Sequence, residues 1–138
     1  MYMLKKLKQD AFLFAVGGVS YGLIEILWRQ RTHWSMVLTG GACFLILYKL
    51  YGRFPRLSVP ERCVIGSLII TGMEFYVGCI VNLWLGLGVW DYSAMPLNLL
   101  GQICIFYSVL WGILSIPISV LCRFMTHRFD CTPAKNKA

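Results

Sequence analysis

Between Cys63 and Gly86 the chain runs for 24 residues with one charged side chain, Glu74. A helix of about 20 apolar residues spans the hydrocarbon of a bilayer. The stretch is therefore long enough to cross, and Glu74 falls near its middle. A carboxyl at that depth is costly, so it faces a bundle interior and marks a site or a path. The first apolar stretch also holds a single charge, Glu25.

The rest of the chain repeats the pattern. Of 138 residues, 58% are hydrophobic and the mean hydropathy is +0.66. The apolar residues come in long runs, not in an amphipathic alternation. This predicts an all-α polytopic membrane protein, a four-transmembrane-helix bundle forming one domain over 1–125. The spans are expected at about 11–28, 34–51, 63–86 and 97–122, with a polar tail over 126–138. Almost no chain is left for a soluble domain, and no GxxxxGK[ST] loop is present. The start, MYMLKKLKQDAFLFAVGG, superficially resembles a signal peptide. Its apolar run continues to Trp28 without a small-residue cleavage site, which reads as a retained span.

The net charge of +7 follows the spans. Lys5, Lys6 and Lys8 precede the first span. Lys49, Arg53, Arg56 and Arg62 flank the second loop, and Arg123, Arg128, Lys135 and Lys137 follow the last span. Four crossings put these three segments on one side, leaving only Arg29 and Arg31 on the other. The positive-inside rule then places both termini in the cytoplasm. Charges dispersed in this way form no nucleic-acid face. The six cysteines include no CxxC pair and no Cys/His cluster at metal-ligand spacing, so neither a metal nor any other cofactor is expected. Cys43, Cys79 and Cys104 fall inside spans, where cysteine packs as a small apolar group.

With this topology the buried polar residues collect in the half of the membrane away from the termini. Tyr21, Glu25 and Arg29 follow at intervals of four and share a helix face, where Glu25 can pair with Arg29. Thr71, Glu74, Gly78 and Asn82 form a second stripe, with Gly78 letting another helix approach. Asp91 lies in the third loop, to cap a turn or to pair with Arg29 or Arg31. Asn98 and Gln102 begin the fourth span one turn apart. The simplest arrangement is an outward-open cavity with Glu74 at its floor. The candidate ligand or proton site is Glu74 with Glu25, Arg29, Asn82 and Asp91. His33, Trp34, Trp90, Tyr92, Asn98 and Gln102 would form the rim. Trp28, Trp34, Trp84, Trp90 and Tyr92 are otherwise read as interfacial anchors. Glu74 has no partner at i±3 or i±4, so its partner comes from another helix or from water. Proton carrier, cation ligand and hydrogen-bond partner for a substrate all remain open for it. No GxSxG, HExxH or paired carboxylate motif points to an enzyme.

Three segments carry a resemblance: GGVSYGLIEILWRQRTHWSM, ITGMEFYVGCIVN and VWDYSAMPLNLLGQICIFYSVLW. Together they resemble the ABC-transporter type IV, or CmpB-like, family of small bacterial integral membrane proteins, from about Gly17 to Trp111. Glu25, Arg29, His33, Glu74, Asn82, Asp91, Asn98 and Gln102 fall on the family's motif positions. Gln30 departs from it, standing where the family more often has glycine, and would stiffen the loop. The resemblance implies a permease-type subunit in the bacterial cytoplasmic membrane, beside a separate ATPase. Four helices enclose little space, so a homo-oligomer or larger complex is expected in the lipid bilayer. The alternatives are a proton- or cation-coupled transporter without an ATPase, and a structural or regulatory protein whose polar cluster only fixes packing.

Overall fold

The computed structural model describes residues 1–130. It contains four helices long and apolar enough to cross a membrane. Helix α1 runs Tyr2–Arg29, α2 Trp34–Arg53, α3 Val59–Gly78 and α4 Ile105–Asp130. A π-helical segment, Cys79–Trp84, prolongs α3. A hairpin of strands β1 (Asn98–Leu99) and β2 (Ile103–Cys104) precedes α4, pairing Asn98 with Cys104 and Leu99 with Ile103. The helices alternate in direction. The amino terminus, the 54–58 turn and the end of α4 therefore share a basic end, and the short 30–33 loop and the long 85–104 loop share the opposite, loop end.

Several boundaries differ from those expected. Helix α1 starts at Tyr2, not near 11, because Leu4 to Gln9 are good helix formers. Its 28 residues span about 42 Å at 1.5 Å per residue, more than the hydrocarbon thickness. At its other end Gln30 is the C-cap in the left-handed region, φ 57°. That conformation favours glycine, the residue more frequent there in the resembled family. Helix α3 starts at Val59 behind a capping box. The Ser58 hydroxyl accepts from Glu61 N–H, and the Glu61 carboxylate accepts from Ser58 N–H at 2.7 Å.

The largest difference concerns 97–104, which was expected to open the fourth span. Leu97, Leu100 and Gly101 all have positive φ, which a helix cannot accept. The hairpin forms there instead, and the fold is not purely helical. Asn98 and Gln102 thus lie on a loop, not one turn apart on a helix. At the far end, residues 126–130 continue α4 rather than opening an irregular tail. The CTPAKNKA segment, with Cys131, lies outside the described residues.

Helix α1 packs on α2, α3 packs on α4, and α2 bridges the pairs. The main core holds Leu13, Phe44, Leu47, Tyr51, Ile70 and Trp111. A second cluster of Met36, Val81, Trp90, Tyr92 and Cys104 fixes the long loop over the end of the bundle.

Candidate functional site at the loop end of the bundle

The site is assembled from α1, the long loop, α3 and α4. On α1 the four-residue spacing works as expected. The Tyr21 hydroxyl donates to Glu25 Oε1 at 3.2 Å, and Arg29 Nε lies 4.0 Å from Glu25 Oε2. Arg29 Nη2 then reaches across to donate to the Tyr92 hydroxyl at 2.7 Å. Its guanidinium sits 5.4 Å from the Tyr92 ring centre and 5.7 Å from that of Tyr107. Those two rings stack at 4.7 Å and make an aromatic floor for the cation.

Glu74 is only 2% exposed. Its two oxygens have separate partners. The Tyr92 hydroxyl donates to Oε1 at 3.3 Å, and Trp111 Nε1 donates to Oε2 at 3.0 Å. A buried carboxyl needs such donors, since removing it from water without them is expensive. The Tyr92 hydroxyl thus accepts from Arg29 and donates to Glu74. A continuous chain results: Glu25, Arg29, Tyr92, Glu74, Trp111. It ties α1 to α3 and α4 through one loop residue and sets one guanidinium between two carboxyls.

The remaining candidates divide into those that build the loop and those that stand apart. Asn82 Nδ2 donates to Gln102 Oε1 at 2.8 Å, and Asn82 Oδ1 accepts from Val89 N–H. Trp90 Nε1 donates to the Gln102 carbonyl at 2.9 Å. A Cβ at Gly78 would collide with Gln102 and Trp90, so this glycine admits the loop, not another helix. Asn98 Oδ1 accepts from Gly101 N–H, and its amide donates to the Ser93 and Met95 carbonyls. Asp91 is exposed and caps its own turn, accepting from the Ser93 N–H and hydroxyl. Those bonds, the hydroxyl's first, hold its carboxyl below the usual aspartate range. Asp91 therefore does not join Glu74. Trp90 and Tyr92, 3% and 4% exposed, are buried and not interfacial anchors. Trp28, Trp34 and Trp84 are exposed. His33 caps α2, its Nδ1 accepting from Ser35 N–H at 3.2 Å.

Two cavities flank the chain. One of about 180 Å³ at the loop end is lined by Glu25, Arg29, Arg31, Thr32, His33 and Met36, closed by Leu87 to Val89. The other, about 80 Å³ and mostly apolar, lies deeper and is lined by Tyr21, Thr39, Cys43, Ile70 and Glu74 among others. Glu74 is not the floor of the outer cavity, as the topology suggested. The Arg29–Tyr92 pair stands between. Trp111 and Tyr107 escaped the sequence reading. Their signal was the four-residue spacing on α4, with an indole N–H placed away from the membrane boundary, where it needs a buried acceptor.

Residues 4–136, nearly the whole chain, match the family described as Putative ABC-transporter type IV, and the chain belongs to that family. No curated protein matches it, and no solved structure does.

Proposed function

We propose that this chain, as a member of that family, is a permease-type membrane subunit of a transporter for a small molecule. It works beside a separate ATPase subunit, and its loop-end cavity is where the molecule first binds. The observation that carries the reading is the Arg29–Tyr92–Glu74 chain behind that cavity. A polar ligand that draws Arg29 into the cavity removes the donor from the Tyr92 oxygen. The disturbance reaches Glu74 and, through Trp111, α4. Ligand binding and helix arrangement are then linked by named contacts. The family supplies the transport class, and the basic end supports both termini in the cytoplasm of a bacterial cell. Cavities of about 180 and 80 Å³ do not make a through-path, so a second copy or another subunit completes it.

Purification in mild detergent, followed by reconstitution, tests this. A co-purifying ATPase and ATP-dependent uptake are the expected results, with uptake but not ATPase co-purification lost in Arg29→Gln at normal expression. Uptake driven by a proton gradient without ATP would replace the ATPase reading with a proton- or cation-coupled one.

One observation favours a second reading, a packing role. Both Glu74 oxygens are hydrogen-bonded, which is what a structural tie requires. Glu74→Gln separates the two. It keeps the shape but turns one acceptor into a donor. A folded, assembled but inactive variant speaks for a working carboxyl, and collapse of stability speaks for the tie.

A further inference from the structure

At the basic end a cavity of about 400 Å³ opens between α2 and α4. This is within the ~300–1,000 Å³ typical of ligand pockets. Arg62, Arg123 and His127 line it together with Tyr48, Tyr51 and Thr126. Arg62 is the unusual member, with only 6% of its surface exposed. Its guanidinium donates to the Leu57 and Pro55 carbonyls and to the Ser119 hydroxyl, and it sits 5.3 Å from the Tyr51 ring centre. These neutral acceptors use three of its five N–H groups. Among the described side chains no carboxylate pairs with it. The neighbouring Glu61 is turned away to cap the helix. Arg62 also stands in the first turns of α3, where the helix dipole disfavours a cation. A buried charge in that position calls for a counter-charge.

We propose that this cavity is an anion site that takes a phosphate-bearing group, with Arg62 as its fixed base and Arg123 as its exposed clamp. Two N–H groups of Arg62 are left to bond phosphate oxygens, and guanidinium geometry suits that group. The cavity lies at the end of the bundle where α2 and α4 leave the apolar layer. The phosphate can come from an anionic lipid headgroup or from a soluble phosphate.

The full chain, stripped of lipid in detergent, is titrated with dihexanoyl phosphatidylglycerol, with dihexanoyl phosphatidylcholine and with inorganic phosphate. Binding is read by native mass spectrometry and by thermal stabilisation. Saturable binding of phosphatidylglycerol over phosphatidylcholine, without competition by inorganic phosphate, identifies the lipid headgroup. Saturable binding of inorganic phosphate identifies the soluble source. Arg123→Gln, at an exposed position that leaves the fold intact, weakens the bound probe about tenfold, one charge-assisted hydrogen bond's worth. Arg53→Gln, at the same end but outside the cavity, leaves affinity unchanged. Saturable binding of neither phosphatidylglycerol nor inorganic phosphate, or equal losses in Arg53→Gln and Arg123→Gln, overturns the proposal.

Discussion

Helices α1 and α2 meet mainly through glycines, whereas α3 and α4 add a set of hydrogen bonds to one close glycine, Gly66, where a Cβ would overlap Ser115. In the first pair a Cβ at Gly17 would overlap Phe44, one at Gly40 would overlap Tyr21, and one at Gly41 would strike Phe14. The backbones approach because nothing stands between them. In the second pair the Ser67 hydroxyl donates to the Ser108 carbonyl at 2.7 Å, Thr71 to the Ser108 hydroxyl at 2.9 Å, and Trp111 to Glu74. Lipid offers no hydrophobic drive between helices, so an interface there needs either close contact or polar bonds. The first device is intolerant of added volume. The second depends on partners and, away from Gly66, tolerates changes of shape. The candidate site lies where the two pairs join, with a cation from the glycine-packed pair and a carboxyl from the hydrogen-bonded one.

The sharpest way to break this contrast is Gly40→Leu. The new side chain must occupy the space of Tyr21, whose hydroxyl also holds Glu25. Overpacking typically costs ~1–3 kcal/mol where neighbours can move. Here two backbones must separate, so loss at or beyond that upper value is expected. The readout is unfolding by sodium dodecyl sulfate in mixed micelles. A stable Gly40→Leu would show that the glycines are not what brings α1 and α2 together.

Next comes the junction. Tyr92→Phe keeps the ring stack on Tyr107 but deletes the hydroxyl shared by Arg29 and Glu74. Leaving a buried polar group without its partner costs ~1–3 kcal/mol. Trp111→Phe removes the donor to the other Glu74 oxygen and is expected to cost a similar amount. Because both act on one carboxyl, the double variant should lose less or more than the sum of the singles. Strict additivity in the same unfolding assay would mean that the chain is not a unit.

These residues also show what was legible. The four helices could be read because apolar length is a direct requirement of the bilayer. Glu25 with Arg29 could be read because a helix fixes the spacing of four. Glu74 could be located but not its partners, since Tyr92 and Trp111 lie 18 and 37 residues away and meet it only through the folded loop. The loop was the hardest part. Leu97 and Leu100 look like the start of a span, and only their positive φ, in a turn held by the local hydrogen bonds of Asn98, excludes it. The sequence offers Asp91 both as a member of the candidate cluster and as a turn cap, and it is the cap, on Ser93 at the surface, that forms.

Ser108→Ala probes the hydrogen-bonded pair itself, with a smaller effect. It deletes the acceptor for Thr71 but leaves the carbonyl that Ser67 uses. Side-chain bonds between helices in membranes average about 0.6 kcal/mol. A loss near that value is expected. A loss as large as that of Gly40→Leu would mean that both helix pairs depend equally on exact contacts.

The smallest effects test glycine from both sides. Gly72 lies within α3, and a Cβ there meets nothing within 4 Å. Gly72→Ala therefore adds no clash and removes backbone freedom from the unfolded chain, for a gain of ~0.5–1 kcal/mol. At Gln30 the direction of substitution reverses. This residue holds φ 57° beyond the end of α1, where an L side chain is strained and glycine is not. Gln30→Gly relieves that strain but loosens the unfolded chain, so a net gain of under about 1 kcal/mol is expected. The same residue type thus destabilises by its removal at Gly40, stabilises by its removal at Gly72 and stabilises by its introduction at position 30. The sign is decided by the space at Cβ and by φ, and the directions of the melting-temperature shifts across the three variants measure it. A clear loss in Gln30→Gly would mean that the side chain there makes a contact outweighing its backbone strain.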